Sequence, residues 1–259
     1  MTHISAQRLK QIASLKRKRN RDEYGEAVVE GVRSVQSLVQ SGWAVSDVIL
    51  SSDFEASQLS WVQSHPEVRV VSKREFEKIS NVQTGQGILA VVRTSYVEVD
   101  NYKLNDLIVA LDGVADPGNV GTIIRSAAWF GIRNILCGTG TADPFNAKTI
   151  RASMGGLWDV QVTRPVDLPR AIQHLKTQGM VVMAADLEGA TVDECDVSEA
   201  GMIVIGSEAH GISADVANLV DQRIVINKRA KDCAVESLNA ATASSIIMEK
   251  WTRSGPTGS

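Results

Sequence analysis

Cysteines and long apolar runs are both scarce in this sequence. Three cysteines occur among 259 residues, and their odd number and wide spacing match no metal-ligand pattern and are typical of reduced thiols in a cytosol. No apolar run reaches the length of about 20 residues that spans a bilayer. The stretch Met1–Arg21 is polar and basic, without the apolar core of a signal peptide. We therefore expect a cytoplasmic protein with no bound metal and no membrane segment.

The charges nearly balance but are unevenly distributed. The formal net charge is −3, yet every charged residue before the first acid, Asp22, is basic. These are Arg8, Lys10, Lys16, Arg17, Lys18, Arg19 and Arg21. Such a run is typical of a surface that contacts phosphates, although a solvated basic helix without a partner would look the same.

Hydrophobic periodicity predicts two α/β units joined by a linker. Strand and helix patterns alternate up to Arg93, and they restart at Leu107 with longer helices. Near-continuous apolar runs such as Ile203–Ile205 indicate strands covered on both faces, and therefore a largely parallel sheet. We predict a first domain over residues 1–96, a linker over 97–105, a second domain over 106–252 and a disordered tail over 253–259.

The individual elements follow from the same patterns. The predicted strands are Ala27–Gly31, Val45–Leu50, Val68–Val71, Gly87–Arg93, Leu107–Leu111, Asn134–Cys137, Trp158–Thr163, Met180–Ala185, Met202–Gly206 and Arg223–Ile226. The predicted helices are Ile4–Leu15, Val32–Gly42, Phe54–Ser64, Lys73–Ile79, Asn119–Phe130, Asn146–Met154, Leu168–Gln178, Asp215–Leu219 and Ala240–Trp251.

Polar residues collect after the carboxyl ends of three predicted strands. The first loop leads to Asn119 and a helix that carries Arg125, the second contains Glu208, and the third leads to Ser237 and Asn239. Such loops are the usual place for a ligand in a parallel sheet. Each feature also has a structural reading, an Arg125–Glu208 ion pair or a helix N-cap at Asn239. Their convergence at one sheet edge favours a site.

Four blocks of the second domain carry a family resemblance. They read Asp116-Pro117-Gly118-Asn119-x-Gly121-x-x-x-Arg125-Ser126-Ala127, Asn146-x-Lys148-x-x-Arg151-Ala152-Ser153-Met154-Gly155, Gly206-x-Glu208-x-His210-Gly211 and Glu236-Ser237-Leu238-Asn239. In this order they resemble the SpoU (TrmH-like) RNA ribose 2′-O-methyltransferases of the SPOUT superfamily. The N-terminal part, with Glu30-Gly31 and Gln86-Gly87-Ile88-Leu89-Ala90, resembles the substrate-binding domain that often precedes the catalytic one, an α/β/α module similar to ribosomal RNA-binding proteins.

The resemblance implies S-adenosylmethionine as methyl donor, a homodimer, and a C-terminal trefoil knot that forms the cofactor pocket. The active-site positions of the family fall on Asn119, Arg125, Glu208, Ser237 and Asn239. The cofactor positions fall on Ala184, Ala185, Gly206, Ile226, Ser237 and Leu238. Family members modify ribosomal or transfer RNA, and the separate N-terminal domain favours ribosomal RNA slightly.

The side-chain chemistry suggests a role for each residue. Arg125 is a poor base because its guanidinium stays protonated, so we expect it to bind the phosphate beside the target ribose, held by Glu208. Asn119, Ser237 and Asn239 would orient the ribose. The residues expected to bind RNA phosphates are Arg17, Lys18, Arg19, Arg21, Lys148 and Arg151. His210 follows a glycine-rich loop and is expected to cap the next helix rather than act as a base.

One departure from the family and two rival functions remain. The third motif opens Ile226-Asn227-Lys228 where the family has Ile-Pro-Leu or Ile-Pro-Met, which affects contacts to the adenine. A nicotinamide enzyme would use Gly138-Thr139-Gly140, but the third glycine is missing and Asp143-Pro144 interrupts the expected helix. A non-catalytic RNA-binding protein could keep the fold, although the retained polar residues argue against it.

Overall fold

The first sheet has four strands and mixed direction. The computed structural model describes residues 4–55, 61–62, 68–82, 85–102, 107–195, 200–230, 232 and 234–253. The strands are β1 (Glu26–Glu30), β2 (Val45–Ser51), β3 (Val68–Val71) and β4 (Ile88–Arg93), in the order β1-β4-β2-β3. Strand β4 pairs antiparallel with β1 and β2, while β2 and β3 are parallel. The interior position of β4 explains its apolar run, because Ile88 to Val92 are fully buried.

Helices cover this sheet. They are α1 (Ala6–Ser14), α2 (Lys18–Tyr24), α3 (Val32–Gln40) and α4 (Lys73–Ile79). Ser5 caps α1, since its hydroxyl accepts a hydrogen bond from the Arg8 amide. A capping box begins α4, in which Ser72 and Glu75 satisfy each other's backbone N–H groups.

The second sheet is parallel between all its paired strands. Its strands are β5 (Leu107–Asp112), β6 (Asn134–Cys137), β7 (Gln161–Val162), β8 (Val182–Asp186), β9 (Ala190–Thr191), β10 (Gly201–Gly206) and β11 (Gln222–Val225), in the order β7-β6-β5-β10-β8-β11-β9. Every pairing is parallel, which confirms the predicted fold class. The trefoil knot implied by the resemblance stays a prediction.

The helices of the second unit include α5 (Pro117–Trp129), α6 (Ala147–Ser153), α7 (Leu168–Thr177), α8 (Ala214–Ala217) and α9 (Ala240–Arg253), with 3₁₀ turns at Val99–Asn101 and Gly156–Asp159. Strand β10 lies between β5 and β8, and both its faces are buried, since Ile203 and Ile205 pack into one apolar cluster and Met202 and Val204 into another. The carboxyl ends of β5, β10, β8 and β11 therefore lie side by side.

Several predicted elements differ from the structure. The predicted strand at Trp158–Thr163 is wrong in its first half, where a 3₁₀ turn precedes the two-residue β7. The Trp158 carbonyl there accepts a hydrogen bond from the Trp43 indole N–H at 3.1 Å, outside any sheet ladder. The short strand β9 and the helix α2 were not predicted. The predicted helix Phe54–Ser64, the end of the linker and the tail lie wholly or mostly outside the described residues.

Buried contacts join the two sheets across a domain interface. The Arg21 guanidinium lies 2.6 Å from the Asp143 carboxylate, and both side chains are only 6% exposed. Next to it the rings of Trp43 and Trp158 meet edge to face at 5.2 Å between centroids. One apolar core continues from the first sheet through these rings into the second. The N-terminal unit is thus packed against the other rather than tethered to it.

Candidate active site

Helix α5 begins at a well-anchored N-cap. The carboxylate of Asp116 accepts a hydrogen bond from the Asn119 N–H at 2.9 Å, and Pro117 occupies the first helical position. The other carboxylate oxygen of Asp116 pairs with the Lys148 ammonium at 2.8 Å. The hydrogen bond from Lys148, and then that from the Asn119 N–H, lower the pKa of Asp116. This cap fixes the first turn of α5, and with it Asn119, at the end of β5.

Three of the predicted site residues form one hydrogen-bonded group, which we call the Asn119 cluster: Asn119, Glu208 and Asn239. The side-chain amide of Asn119 donates to Glu208, and its carbonyl oxygen accepts from Asn239 Nδ2 at 3.0 Å. Asn239 Oδ1 accepts from the N–H groups of Ala241 and Thr242, at the start of α9. Helix α9 therefore sets the orientation of both amides, because backbone N–H groups only donate and a carboxylate only accepts.

Arg125 follows Asn119 on α5 and Ser237 precedes Asn239 by two residues, but neither side chain bonds to this group. Both are exposed, and within the described part of the chain neither side chain has a hydrogen bond or an ion pair. The expected pairing of Arg125 with Glu208 is therefore wrong. Arg125 lies six residues beyond Asn119 on α5, about 9 Å along the axis, whereas Glu208 contacts the first turn. The exposed guanidinium is free to bind an anion.

Close packing holds α5 against two other helices. A Cβ on Gly121 would collide with the Thr149 carbonyl and with Ala152 on α6, so only glycine allows this approach. On another face the hydroxyls of Ser126 and Ser245 are 2.7 Å apart and join α5 to α9. Sequence reasoning missed Ser245, although the small residues that open α9 were a signal of close helix packing.

The turn after β10 positions Glu208. Ser207 and Gly211 exchange two backbone hydrogen bonds, of 3.0 and 2.8 Å. A Cβ on Gly206 would overlap the Gly211 backbone, which makes glycine necessary at the end of this strand. His210 lies inside the turn, and the N-cap of α8 is Ser213. The expectation that His210 caps this helix is therefore wrong.

The residues predicted to bind the cofactor surround the ends of β8, β10 and β11. Ala185, Gly206 and Ile226 are half-buried there. Ala184 is only 2% exposed and pairs with Val204 and Arg223 inside the sheet. Its assignment to the pocket is therefore corrected, because strand β8 continues to Asp186 and places Ala184 in the core.

Residues 234–239, which lead into α9, are exposed. Leu238 is 45% exposed and Val235 is 58% exposed, so the segment presents apolar side chains to solvent. The Lys228 ammonium donates to the Val235 carbonyl at 2.8 Å and closes the loop on itself. Lys228, one of two residues that depart from the family motif, thus contacts the segment that leads to Ser237.

The predicted RNA-binding residues fall into two groups. Arg17, Lys18, Arg19, Lys148 and Arg151 are exposed. Lys18 pairs with Asp22 one turn later, and Lys148 pairs with Asp116. The assignment of Arg21 is wrong, because its guanidinium is buried on Asp143 and on the carbonyls of Leu15 and Lys16. Arg21 is a residue of the domain interface.

The glycines at residues 138–140 do not open a helix. They follow β6, the Thr139 N–H donates to the Val166 carbonyl, and the next described helix begins at Ala147. This geometry lacks the strand-to-helix turn that binds a dinucleotide.

Two further features concern cysteines and metals. Cys137 is fully buried, and burial raises the pKa of its thiol to about 12. Cys195 is also a buried free thiol, while Cys233 lies outside the described residues. Among the residues that the structure describes, no group of His, Cys, Asp and Glu has a metal-binding arrangement. None of the described helices has the length and apolarity needed to cross a membrane.

Comparison with known proteins matches both parts of the chain. The model of the SpoU rRNA Methylase family matches residues 106–249, more than half of the chain. The model of the MRM3-like substrate binding domain matches residues 6–90.

Similar proteins extend over nearly the whole length. The 23S rRNA (guanosine(2553)-2′-O)-methyltransferase RlmP of Bacillus subtilis is 28% identical over 243 residues, covering 93% of this chain and 94% of RlmP. The solved structure of a TrmH-family protein from Porphyromonas gingivalis is 33% identical, with a TM-score of 0.85 over 98% of this chain and 100% of that one. The SpoU methyltransferase AviRb from Streptomyces viridochromogenes, solved with AdoMet, is 25% identical, with a TM-score of 0.83 over 96% of this chain and 98% of AviRb. The chain belongs to the SpoU rRNA methylase family.

Proposed function

We propose that this protein transfers the methyl group of S-adenosylmethionine to a ribose 2′-hydroxyl of RNA, and that its substrate is ribosomal RNA. The observation that carries the proposal is the Asn119 cluster at the carboxyl edge of a parallel sheet, with the exposed Arg125 on the same helix as Asn119 and Ser237 two residues before Asn239. The relative from Bacillus subtilis is named as a 23S rRNA 2′-O-methyltransferase, which supports ribosomal over transfer RNA. A cytoplasmic location accords with such a substrate.

The residues at the sheet edge fit the cofactor. The ends of β8, β10 and β11 bring the half-buried Ala185, Gly206 and Ile226 together, and Leu238 offers apolar surface for an adenine. We assign Ala185, Gly206, Ile226, Ser237 and Leu238 to this pocket. When bound, S-adenosylmethionine supplies an electrophilic methyl on a sulfonium, so the chain has chiefly to position the nucleophile.

The Asn119 cluster has unused hydrogen-bonding capacity. Each amide nitrogen carries two protons, and one proton on Asn119 and one on Asn239 are committed within the cluster. The remaining protons can hold ribose oxygens. Ser237, two residues before Asn239, adds a hydroxyl. Glu208 acts as a positioning residue, because it fixes the amide of Asn119 rather than the guanidinium of Arg125.

Arg125 binds the phosphate next to the target ribose. Its guanidinium is exposed on α5 without a carboxylate partner among the described residues, so its charge is not already neutralised. A bidentate contact to a phosphate would fix the ribose in the register of the Asn119 cluster. The exposed cations Arg17, Lys18, Arg19, Lys148 and Arg151 would hold more distant phosphates, making binding salt-dependent.

The protein works as a homodimer. Trp129 is 84% exposed, and it lies four residues after Arg125, on the same face of α5. Tryptophan and arginine are both enriched in protein interfaces, so a helix face that exposes the two together is suited to contact between subunits. Light scattering should give twice the chain mass for the wild type and a shift towards the single-chain mass for Trp129→Glu. A monomeric wild type would contradict the dimer.

Methyl transfer from labelled S-adenosylmethionine to undermethylated total RNA tests the function. We expect label in the ribosomal fraction, at a linkage that resists alkaline cleavage because the 2′-oxygen is blocked. The Asn119→Ala protein serves as the negative control. Label in transfer RNA alone would contradict the substrate. Label on a base would contradict the reaction.

A further inference from the structure

The first domain contains an open cavity of about 890 Å³, within the range of small-ligand sites. It lies where β2 ends, β4 begins and α4 passes. The half-buried ring of Phe54 forms one wall and rests against Gly87, whose φ of +75° and close contact with that ring exclude a side chain. Phe76 forms an apolar part of the lining and is 4% exposed.

Polar residues of the lining, Ser80, Asn81 and Gln86, are held by hydrogen bonds to groups behind them. Glu30 is 7% exposed, and its carboxylate accepts hydrogen bonds from the Ser80 hydroxyl at 2.5 Å and the Asn81 N–H at 2.9 Å. Gln86 is fixed as well, because its side-chain oxygen accepts from the Val32 N–H at 2.8 Å. The cavity therefore offers a preformed aromatic face with amide and hydroxyl groups around it.

The charges of the lining favour a neutral group over a phosphate. The lining carries the cations Lys16 and Lys73 but also the acids Asp53, Glu55 and Glu77. Lys73 is already paired with Asp53 at 3.1 Å. A phosphate inside would meet an excess of negative charge, whereas a nucleobase could stack on the ring and donate its N–H groups to the carboxylates.

A much smaller cavity adjoins this one on the side of α6. Lys16 and Asn81 line both cavities, and the smaller one, of about 50 Å³, reaches Asn146 and Ala147 at the start of α6. The next residue of α6, Lys148, pairs with the Asp116 cap that positions Asn119. The smaller cavity thus adjoins the helix whose Lys148 holds the cap of α5.

We infer that this cavity receives an unpaired nucleobase of the RNA substrate, stacked on Phe54, while the flanking phosphates lie outside on Lys16 and on Arg17–Arg19. The inference rests on the proposed function for the identity of the RNA. It adds a second recognition point in the first domain, distant from the ribose that is modified.

The test uses two variants, of which the first obstructs the cavity without removing packing and the second removes the ring of Phe54. Glu77 is exposed on α4 and lines the cavity, so the indole of Glu77→Trp occupies part of it. The matched control, Gln40→Trp, adds the same ring at an exposed position on α3 outside the cavity. We expect the KM for unmodified ribosomal RNA to be about 5- to 150-fold higher for the Glu77→Trp and Phe54→Ala proteins than for the wild type. This range corresponds to the loss of one base stacked on an aromatic ring. The kcat should stay within about twofold, and Gln40→Trp should match the wild type.

The loss of the Glu77 charge acts in the direction opposite to the expected effect. Replacing Glu77 removes a negative charge and would by itself strengthen RNA binding, so a weaker complex identifies the blocked cavity. An unchanged KM in both cavity variants, from protein that methylates normally, would overturn the inference.

A second measurement separates the inference from the proposed function and identifies the source of the base. A photoreactive phenylalanine at position 77 should crosslink to ribosomal RNA, and one at position 40 should not. Crosslinking without any methyl transfer would support the cavity while contradicting the proposed reaction. Loss of the crosslink with micromolar free nucleoside monophosphates would assign the cavity to a small nucleotide and overturn the RNA inference.

Discussion

Arg21 and Arg125 place the same side chain in opposite environments. The guanidinium of Arg21 is 6% exposed and pairs with Asp143 in the domain interface, whereas Arg125 is exposed on α5 beside the Asn119 cluster. A buried cation needs its partner to offset the loss of hydration. An exposed cation without a carboxylate partner keeps its charge available for a ligand. Position thus assigns Arg21 to the fold and Arg125 to the proposed chemistry.

The two regions also differ in how their polar groups are held. The interface combines its ion pair with the packed rings of Trp43 and Trp158, so it resembles a protein core. The Asn119 cluster is an exposed set of amide and carboxylate hydrogen bonds at a sheet edge. Substitutions in the interface should therefore affect unfolding most, and substitutions at the cluster should affect catalysis most.

The largest effect is expected for Arg21→Ala. Removal of the cation leaves the Asp143 carboxylate buried and uncompensated, which costs about 3–5 kcal/mol of unfolding free energy. Urea denaturation measures this loss. The matched control Arg17→Ala, at an exposed position of the same basic run, should stay within about 0.5 kcal/mol of the wild type. A similar small loss for Arg21→Ala would contradict a structural role for the buried pair.

A double variant sharpens this test. Arg21→Met with Asp143→Asn removes both charges, and an asparagine oxygen can still accept the bond that Asp143 receives from the Phe145 N–H. The double variant should recover much of the unfolding free energy that Arg21→Ala loses, because no unpaired charge remains.

The next effect is expected in catalysis, for Arg125→Ala. The loss of the phosphate contact that positions the target ribose should cost about 10²-fold in kcat, and urea denaturation should show a stability close to the wild type because the side chain is exposed. Steady-state methyl transfer measures the first quantity. Arg170→Ala on α7 is the control, since that side chain is exposed and outside the proposed site. Full activity of Arg125→Ala at saturating RNA would exclude the phosphate contact.

Asn239 tests whether α9 orients the Asn119 cluster. An aspartate at this position keeps an acceptor for the N–H groups of Ala241 and Thr242 but cannot donate to the oxygen of Asn119. We expect Asn239→Asp to retain the wild-type stability and lose at least about tenfold in kcat. Asn239→Ala should lose both, with about 1 kcal/mol of stability from the missing cap. Equal activity for wild type and Asn239→Asp would show that the donor is not needed.

The comparison also shows what sequence could predict. The basic run before Asp22 is visible by inspection, but nothing in it distinguishes Arg21 from its neighbours, because the partner Asp143 is 122 positions away. Arg125 and the cluster residues were identified by motif spacing. Spacing alone could not show that Glu208 bonds to Asn119 and not to Arg125. That choice depends on how far along the axis of α5 each residue lies, which only the structure gives.

The sequence predicts which segments form strands better than it predicts the order of the strands in the sheet. The apolar run at Ile203–Ile205 predicts a strand buried on both faces, and β10 is buried between two neighbours. Periodicity cannot show that those neighbours are β5 and β8, since neither pairing is between consecutive strands. The order matters for function, because it is what places Gly206 between the ends of the other two strands.

The smallest expected effect concerns the cap beneath the cluster. The pKa of Asp116 is lowered in the folded protein by Lys148 and by the Asn119 N–H, so its contribution to stability is present above its ordinary pKa of 3.8 and is lost as the pH falls through the lower folded value. Thermal unfolding of the wild type and Asp116→Asn should therefore differ at neutral pH and converge below that range. The difference should be under about 1 kcal/mol, because the Asp116–Lys148 pair is exposed. A gap that widened as the pH fell would reverse the sign of the linkage and exclude a charged Asp116 as the cap that positions Asn119.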